Sequence, residues 1–105
     1  MKKAMISQPM GGLTVEKIDR VRNEARKKLD EMGYEVVDTR FRFSDAYLTK
    51  TGVMNIPLHY LAASLMKMAT CDAVYFCKGW ENARGCVVER EAAERYGLTI
   101  LDDSQ

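Results

Sequence analysis

Apolar residues along this chain fall into four short runs, at residues 3–7, 34–39, 72–77 and 98–101, separated by longer stretches in which they recur every three or four positions. Short runs bounded by turn residues read as strands, and the three-to-four spacing reads as amphipathic helix. Ile18, Val21, Ala25, Leu29 and Met32 make the first such stripe, with Thr14 placed to cap its start and Gly33 to end it. Pro57 opens a second helix with the broad apolar face Leu58, Leu61, Ala62, Leu65, Met68 and Ala69. Asn82 is placed to cap a third, which runs to Tyr96 before Gly97 stops it. Strands alternating with helices predict an α/β fold: a small open three-layer sandwich with a parallel sheet of four or five strands, flavodoxin- or Rossmann-like. At 105 residues, the chain reads as a single domain spanning 1–105.

Two segments escape this pattern. Ser7, Gln8, Pro9, Met10, Gly11 and Gly12 follow the first strand, where proline and paired glycines interrupt regular structure and let a ligand approach the backbone. The segment fits a ligand loop or an ordinary strand-to-helix turn; it is neither a dinucleotide fingerprint nor a P-loop. Residues 40–55, with Phe41, Phe43, Tyr47 and Lys50, show no clear period, and a connection of that length reads as a lid, a partner surface or a disordered tip. The two phenylalanines are expected to bury rather than to stack on a base. His59, off the main stripe of the second helix, is expected to be solvated.

Lys and Arg number 16 and Asp and Glu 15, a net charge of +1, which gives no overall field favouring nucleic acid or membrane. No stretch approaches the ~18 apolar residues of a membrane-spanning helix, and the apolar part of the N-terminus is too short for a signal peptide. Cys71, Cys77 and Cys86 contain no C-x-x-C pair and, with one histidine, no credible zinc set. They read as reduced apolar fillers of a cytoplasmic protein, with no metal or cofactor expected.

The chemistry concentrates in Lys78-Gly79-Trp80-Glu81-Asn82-Ala83-Arg84-Gly85 and the Glu89 that follows. A strand, a glycine-bearing turn and a helix N-terminus in that order form a ligand site at the carboxyl edge of a parallel sheet, where free N–H groups favour anions. Glu89, four residues after Gly85, stands one turn along nearly the same face with no side chain at Gly85 to cover it. The same spacing also suits a solvated helix residue.

Ile6-Ser7-Gln8-Pro9-Met10, Cys71-Asp72-Ala73-Val74-Tyr75 and Gly79-Trp80-Glu81-Asn82-Ala83-Arg84-Gly85 leading to Glu89 closely resemble the domain of unknown function 4406 over essentially the whole chain. That family is small, frequent in phage and prophage, and related to the nucleoside 2-deoxyribosyltransferases. The resemblance implies a nucleoside or nucleoside 5′-monophosphate N-glycosidase or deoxyribosyltransferase in which Glu89 attacks the anomeric carbon. By the same resemblance Ser7, Gln8, Pro9, Met10 and Gly11 would close over sugar and base, while Lys78, Gly79, Trp80, Glu81, Asn82, Arg84 and Gly85 would surround the ligand and hold its 5′ end. Where those transferases carry an Asp after the third strand, this chain has Lys78-Gly79, and Ala83 stands two before the helix glycine. Glu81 is the residue of the same turn that could supply the missing carboxylate, and these departures widen the ligand class to modified bases, nucleotides and sugar phosphates. The alternatives are a non-catalytic nucleotide-binding or sensing module, and a structural protein burying Trp80 and the phenylalanines in an interface. A homo-oligomer is expected, since an exposed Trp80 loop and the aromatic 40–55 segment would need covering.

Overall fold

A computed structural model describes residues 1–103; of the polar tail that the sequence predicts over residues 102–105, Ser104 and Gln105 lie outside the described residues. The elements are β1 (Lys3–Ser7), α1 (Val15–Glu31), β2 (Glu35–Val36), α2 (Asp45–Lys50), α3 (Ile56–Met68), β3 (Ala73–Phe76), a 3-10 turn (Trp80–Asn82), α4 (Arg84–Arg95) and β4 (Thr99–Asp102). All four strands are parallel, in the order β2-β1-β3-β4. The predicted α/β class and parallel four-stranded sheet are therefore what the chain forms. Strand two is shorter than the run 34–39 that predicts it: only Glu35 and Val36 pair with β1.

The two-residue period of the strands sorts the core into layers. Ala4, Ile6, Ala73, Tyr75 and Cys77 pack beneath Ala25 and Leu29 of α1. Met5, Val74 and Phe76 face the other way, against Met68 of α3 and Ala93 of α4. Ser7 shares the parity of Met5, which directs its side chain to the α3–α4 side. Gln8 turns back toward α1, where its amide donates to the Ile18 carbonyl at 2.6 Å.

Three expectations need correction. The 40–55 segment is not structureless: Ser44 accepts from the Tyr47 N–H and starts the one-and-a-half-turn helix α2, whose Leu48 is buried. His59 is not simply solvated. Its ring meets Phe43 edge-on at 4.8 Å and its Nε2 lies 3.3 Å from the Tyr47 hydroxyl. The polar tail begins one residue later than predicted, because Asp102 closes β4, and Asp103 is no loose tail residue: it receives the Tyr75 hydroxyl, the Lys78 N–H at 2.9 Å and Lys28 at 3.5 Å. Burial alone would raise its carboxyl, but those donors hold it below its ordinary value.

Candidate functional site

The sheet order reverses between β1 and β3, where neighbouring strands continue to opposite sides, and such a switch point opens a crevice at the carboxyl ends of the strands. Ser7 pairs in register with Phe76, so the loops after both strands leave the sheet side by side. Gly79 follows with φ of 90°, a left-handed conformation that a residue with a Cβ adopts only under strain. A Cβ there would come within 3.7 Å of Pro9, so the two loops meet at these residues.

Helix α4 turns one stripe to the sheet, made of Cys86, Glu89 and Ala93. Glu89 is thus a carboxylate at a core position, only 8 % exposed. The Ser7 hydroxyl donates to its Oε1 at 3.1 Å. Among the described residues Arg90 Nη1 is the one sealed side-chain polar atom without a partner, so neither Glu89 oxygen is a sealed orphan. Burial pushes the Glu89 carboxyl up to about 7, opposed by the Ser7 hydrogen bond and by the Arg22 charge. An ordinary solvated glutamate, the bland alternative from spacing, is not what stands here.

Glu89 lines a cleft of about 810 Å³ shared with Gln8, Pro9, Met10 and Gly11 from the first loop and with Gly79, Asn82, Arg84 and Gly85 from the second. That volume lies within the ~300–1,000 Å³ typical of small-molecule sites. The far wall comes from Arg40, Phe41, Pro57, Tyr60 and Ser64, none of which the sequence singles out as a site residue. Tyr60 joins the two parts of that wall by accepting the Phe43 N–H at 3.1 Å.

The end of α4 facing the cleft has no side-chain cap. Asn82 is not the cap residue, because it closes the 3-10 turn with its N–H on Gly79; extended Ala83 takes the position and has no side chain to accept with. The first helical bond is from Val87 to Ala83, so the N–H groups of Arg84, Gly85 and Cys86 precede the ladder. These donors and the Arg84 side chain favour an anion at this end of the cleft. A Cβ built at Gly85 meets nothing within 4 Å, which leaves the surface beside Glu89 open.

Three sequence candidates stand elsewhere. Lys78 lies outside this cleft, against α1 and Asp103. Trp80 is half-buried rather than exposed: it packs against Phe76 with ring centres 5.8 Å apart, and the Arg90 guanidinium sits over it at 4.4 Å. Glu81 is exposed and does not line the cleft.

Arg22 is a further residue of the site that sequence reading misses. It is 7 % exposed, donates to Gln8 Oε1 at 3.1 Å and to Thr39 Oγ1 at 2.9 Å, and has Asp38 4.0 Å away. Burial lowers its pKa, with Asp38 opposing. Replacing Arg22 with Met is expected to raise the Glu89 midpoint above the wild-type value, because a cation that favours the carboxylate is lost. Carbon-detected NMR titration of the Glu89 carboxyl measures this, and an unchanged midpoint would refute the electrostatic link.

Residues 2–102 match the domain of unknown function DUF4406. The chain belongs to this family. The DUF4406 match includes every residue of the cleft. No curated protein and no solved structure matches the chain. Among the described residues no helix is long and apolar enough to cross a membrane, and Cys71, Cys77 and Cys86 are free thiols.

Proposed function

We propose that this DUF4406 protein is a nucleoside or nucleoside 5′-monophosphate N-glycosidase, or a deoxyribosyltransferase, with Glu89 as nucleophile. The observation that carries the reading is a buried carboxylate held by Ser7, lining a cleft that also receives an uncapped helix N-terminus. A core position is costly for a carboxylate, and perturbed groups of this kind gather where chemistry is done.

In the proposed reaction one Glu89 oxygen bonds to the anomeric carbon as the N-glycosidic bond breaks. The base leaves with the bonding electron pair and takes a proton from solvent. Water, or the nitrogen of a second base, then attacks the anomeric carbon and releases the carboxylate, as in a retaining glycosidase. Ser7 orients Glu89 by holding Oε1. The phosphate of a monophosphate ligand would lie at the first turn of α4 beside Arg84. Phe41 and Tyr60 offer aromatic surface for the base.

Monophosphates are therefore expected to bind more tightly than the matching nucleosides. Arg84→Ala should remove about tenfold of that preference. Calorimetry with both ligand types tests the assignment; equal affinities, or an unchanged preference in Arg84→Ala, would sink it.

The reading includes a homo-oligomer, now on different grounds from Trp80. Lys67 is the one Lys, Arg, Asp or Glu of α3, yet Met68 is its one buried residue, and Leu58 and Met66 stand 56 % and 76 % exposed. A helix this apolar on all sides is ordinarily covered. Light scattering at micromolar concentration should give at least twice the mass of one chain, and a monomeric mass would count against assembly.

A further inference from the structure

Lys78, which the sequence places in the ligand turn, points attention to a second cavity. The left-handed Gly79 separates the two: Gly79 lines the Glu89 cleft, while Lys78 lines a cavity of about 440 Å³ on the α1 side of the sheet. Its apolar lining includes Pro9, Leu13, Val21 and Cys77, and Lys17, Lys28 and Lys78 surround it. Two carboxylates, Glu24 and Asp103, also border it. Asp103 is already engaged by the Tyr75 hydroxyl, the Lys78 N–H and Lys28. The ammonium groups of Lys17 and Lys78, like the Glu24 carboxylate, have no ion-pair partner among the described residues, which leaves the lining with one net positive charge.

An apolar floor whose lining also includes lysines suits a small molecule with an apolar body and an anionic head, and this volume is enough for one. Neither half alone would specify such a ligand: the floor holds the body, and Lys17 and Lys78, which outnumber Glu24, hold the charge. The Glu89 cleft differs in kind, because its anion donors are main-chain N–H groups and an arginine rather than lysines. Pro9 and Leu13 line both cavities, so they form a common wall between them.

We propose that this α1-side cavity is a second ligand site, distinct from the Glu89 cleft, for a small amphipathic anion: a carboxylate or phosphate ester on an apolar body.

Phenyl phosphate and benzoate are suitable probes, and inorganic phosphate separates the head from the body. In ¹⁵N-labelled full-length protein, phenyl phosphate, benzoate or both should shift the amides of Leu13, Lys17, Val21 and Lys78 saturably, with a Kd on the order of 1 mM or tighter. The preferred head group identifies the ligand class. Inorganic phosphate should bind at least fivefold more weakly at these amides than the better aromatic probe. The double variant Lys17→Ala/Lys78→Ala should weaken the response at least fivefold, and Arg84→Ala should leave it unchanged. Shifts at Gly85 and Cys86 that depend on Arg84 would report the Glu89 cleft separately. The proposal is overturned if neither aromatic probe saturates the α1-side amides, if the lysine variant binds equally well, or if Arg84→Ala abolishes their response.

Discussion

Glu89→Gln is expected to abolish base release from a nucleoside or nucleoside monophosphate, lowering the rate by at least ~10³-fold while ligand affinity changes by less than a few fold. The substitution preserves shape and leaves an amide oxygen to accept from Ser7, so the cleft should persist. What it removes is the anion that must bond to the anomeric carbon, an interaction required in the transition state and not for binding. The raised carboxyl adds a second signature. Glu89 must be ionised to attack, so wild-type kcat/KM should rise with pH and level off above about 7. Release unaffected by Glu89→Gln would falsify the nucleophile assignment. Failure of the wild type to release base from any nucleoside or nucleotide would instead favour a binding module.

The sequence makes the layers of this fold legible because continuous apolar runs at β1 and β3, together with the α1 stripe, assign most of the core. It also locates Ser7 and Glu89 on converging edges. Their hydrogen bond, however, spans 82 residues of sequence and depends on the parity of Ser7 and the rotation of α4. The cap predicted at Asn82 falls one residue before the real one at Ala83 because a 3-10 turn precedes α4, and a local rule cannot foresee where such a turn hands over to helix. Arg22 carried a signal that could have been read. Ile18, Arg22, Ala25 and Leu29 form one buried stripe, so the arginine is in register with the apolar positions and out of place among solvated charges. Phe41 is weighed in the sequence as a base-stacking residue and set aside for burial, whereas Tyr60 and Ser64 give no comparable signal, since this wall arises when the 40–55 segment folds against α3. The six-residue α2 is too short to show a helical period.

The same carboxylate should make the folded protein less stable as pH rises, an effect independent of any substrate. In the unfolded chain Glu89 titrates near the ordinary value of 4.5, whereas in the folded protein it is pushed up to about 7, burial being the dominant cause. Between these values the folded state retains a proton that the unfolded state has released. Stability therefore falls as pH increases through this window, and the penalty is complete above about 7. Its size is about 3 kcal/mol, a large share of the stability of a small domain. Glu89→Gln removes the ionisation but keeps the shape. It should therefore match wild type within about 1 kcal/mol near pH 4.5 and be more stable by roughly 2–3 kcal/mol at pH 8, equivalent to roughly 10 °C or more in Tm. Urea and thermal melts of both proteins at the two pH values provide the measurement, and a difference that does not grow with pH would show that burial leaves Glu89 an ordinary acid. Growth of the gap would mean that the fold keeps an ionisable group at a core position where an uncharged isostere is more stable, the trade-off expected when a side chain is retained for what it does in the cleft.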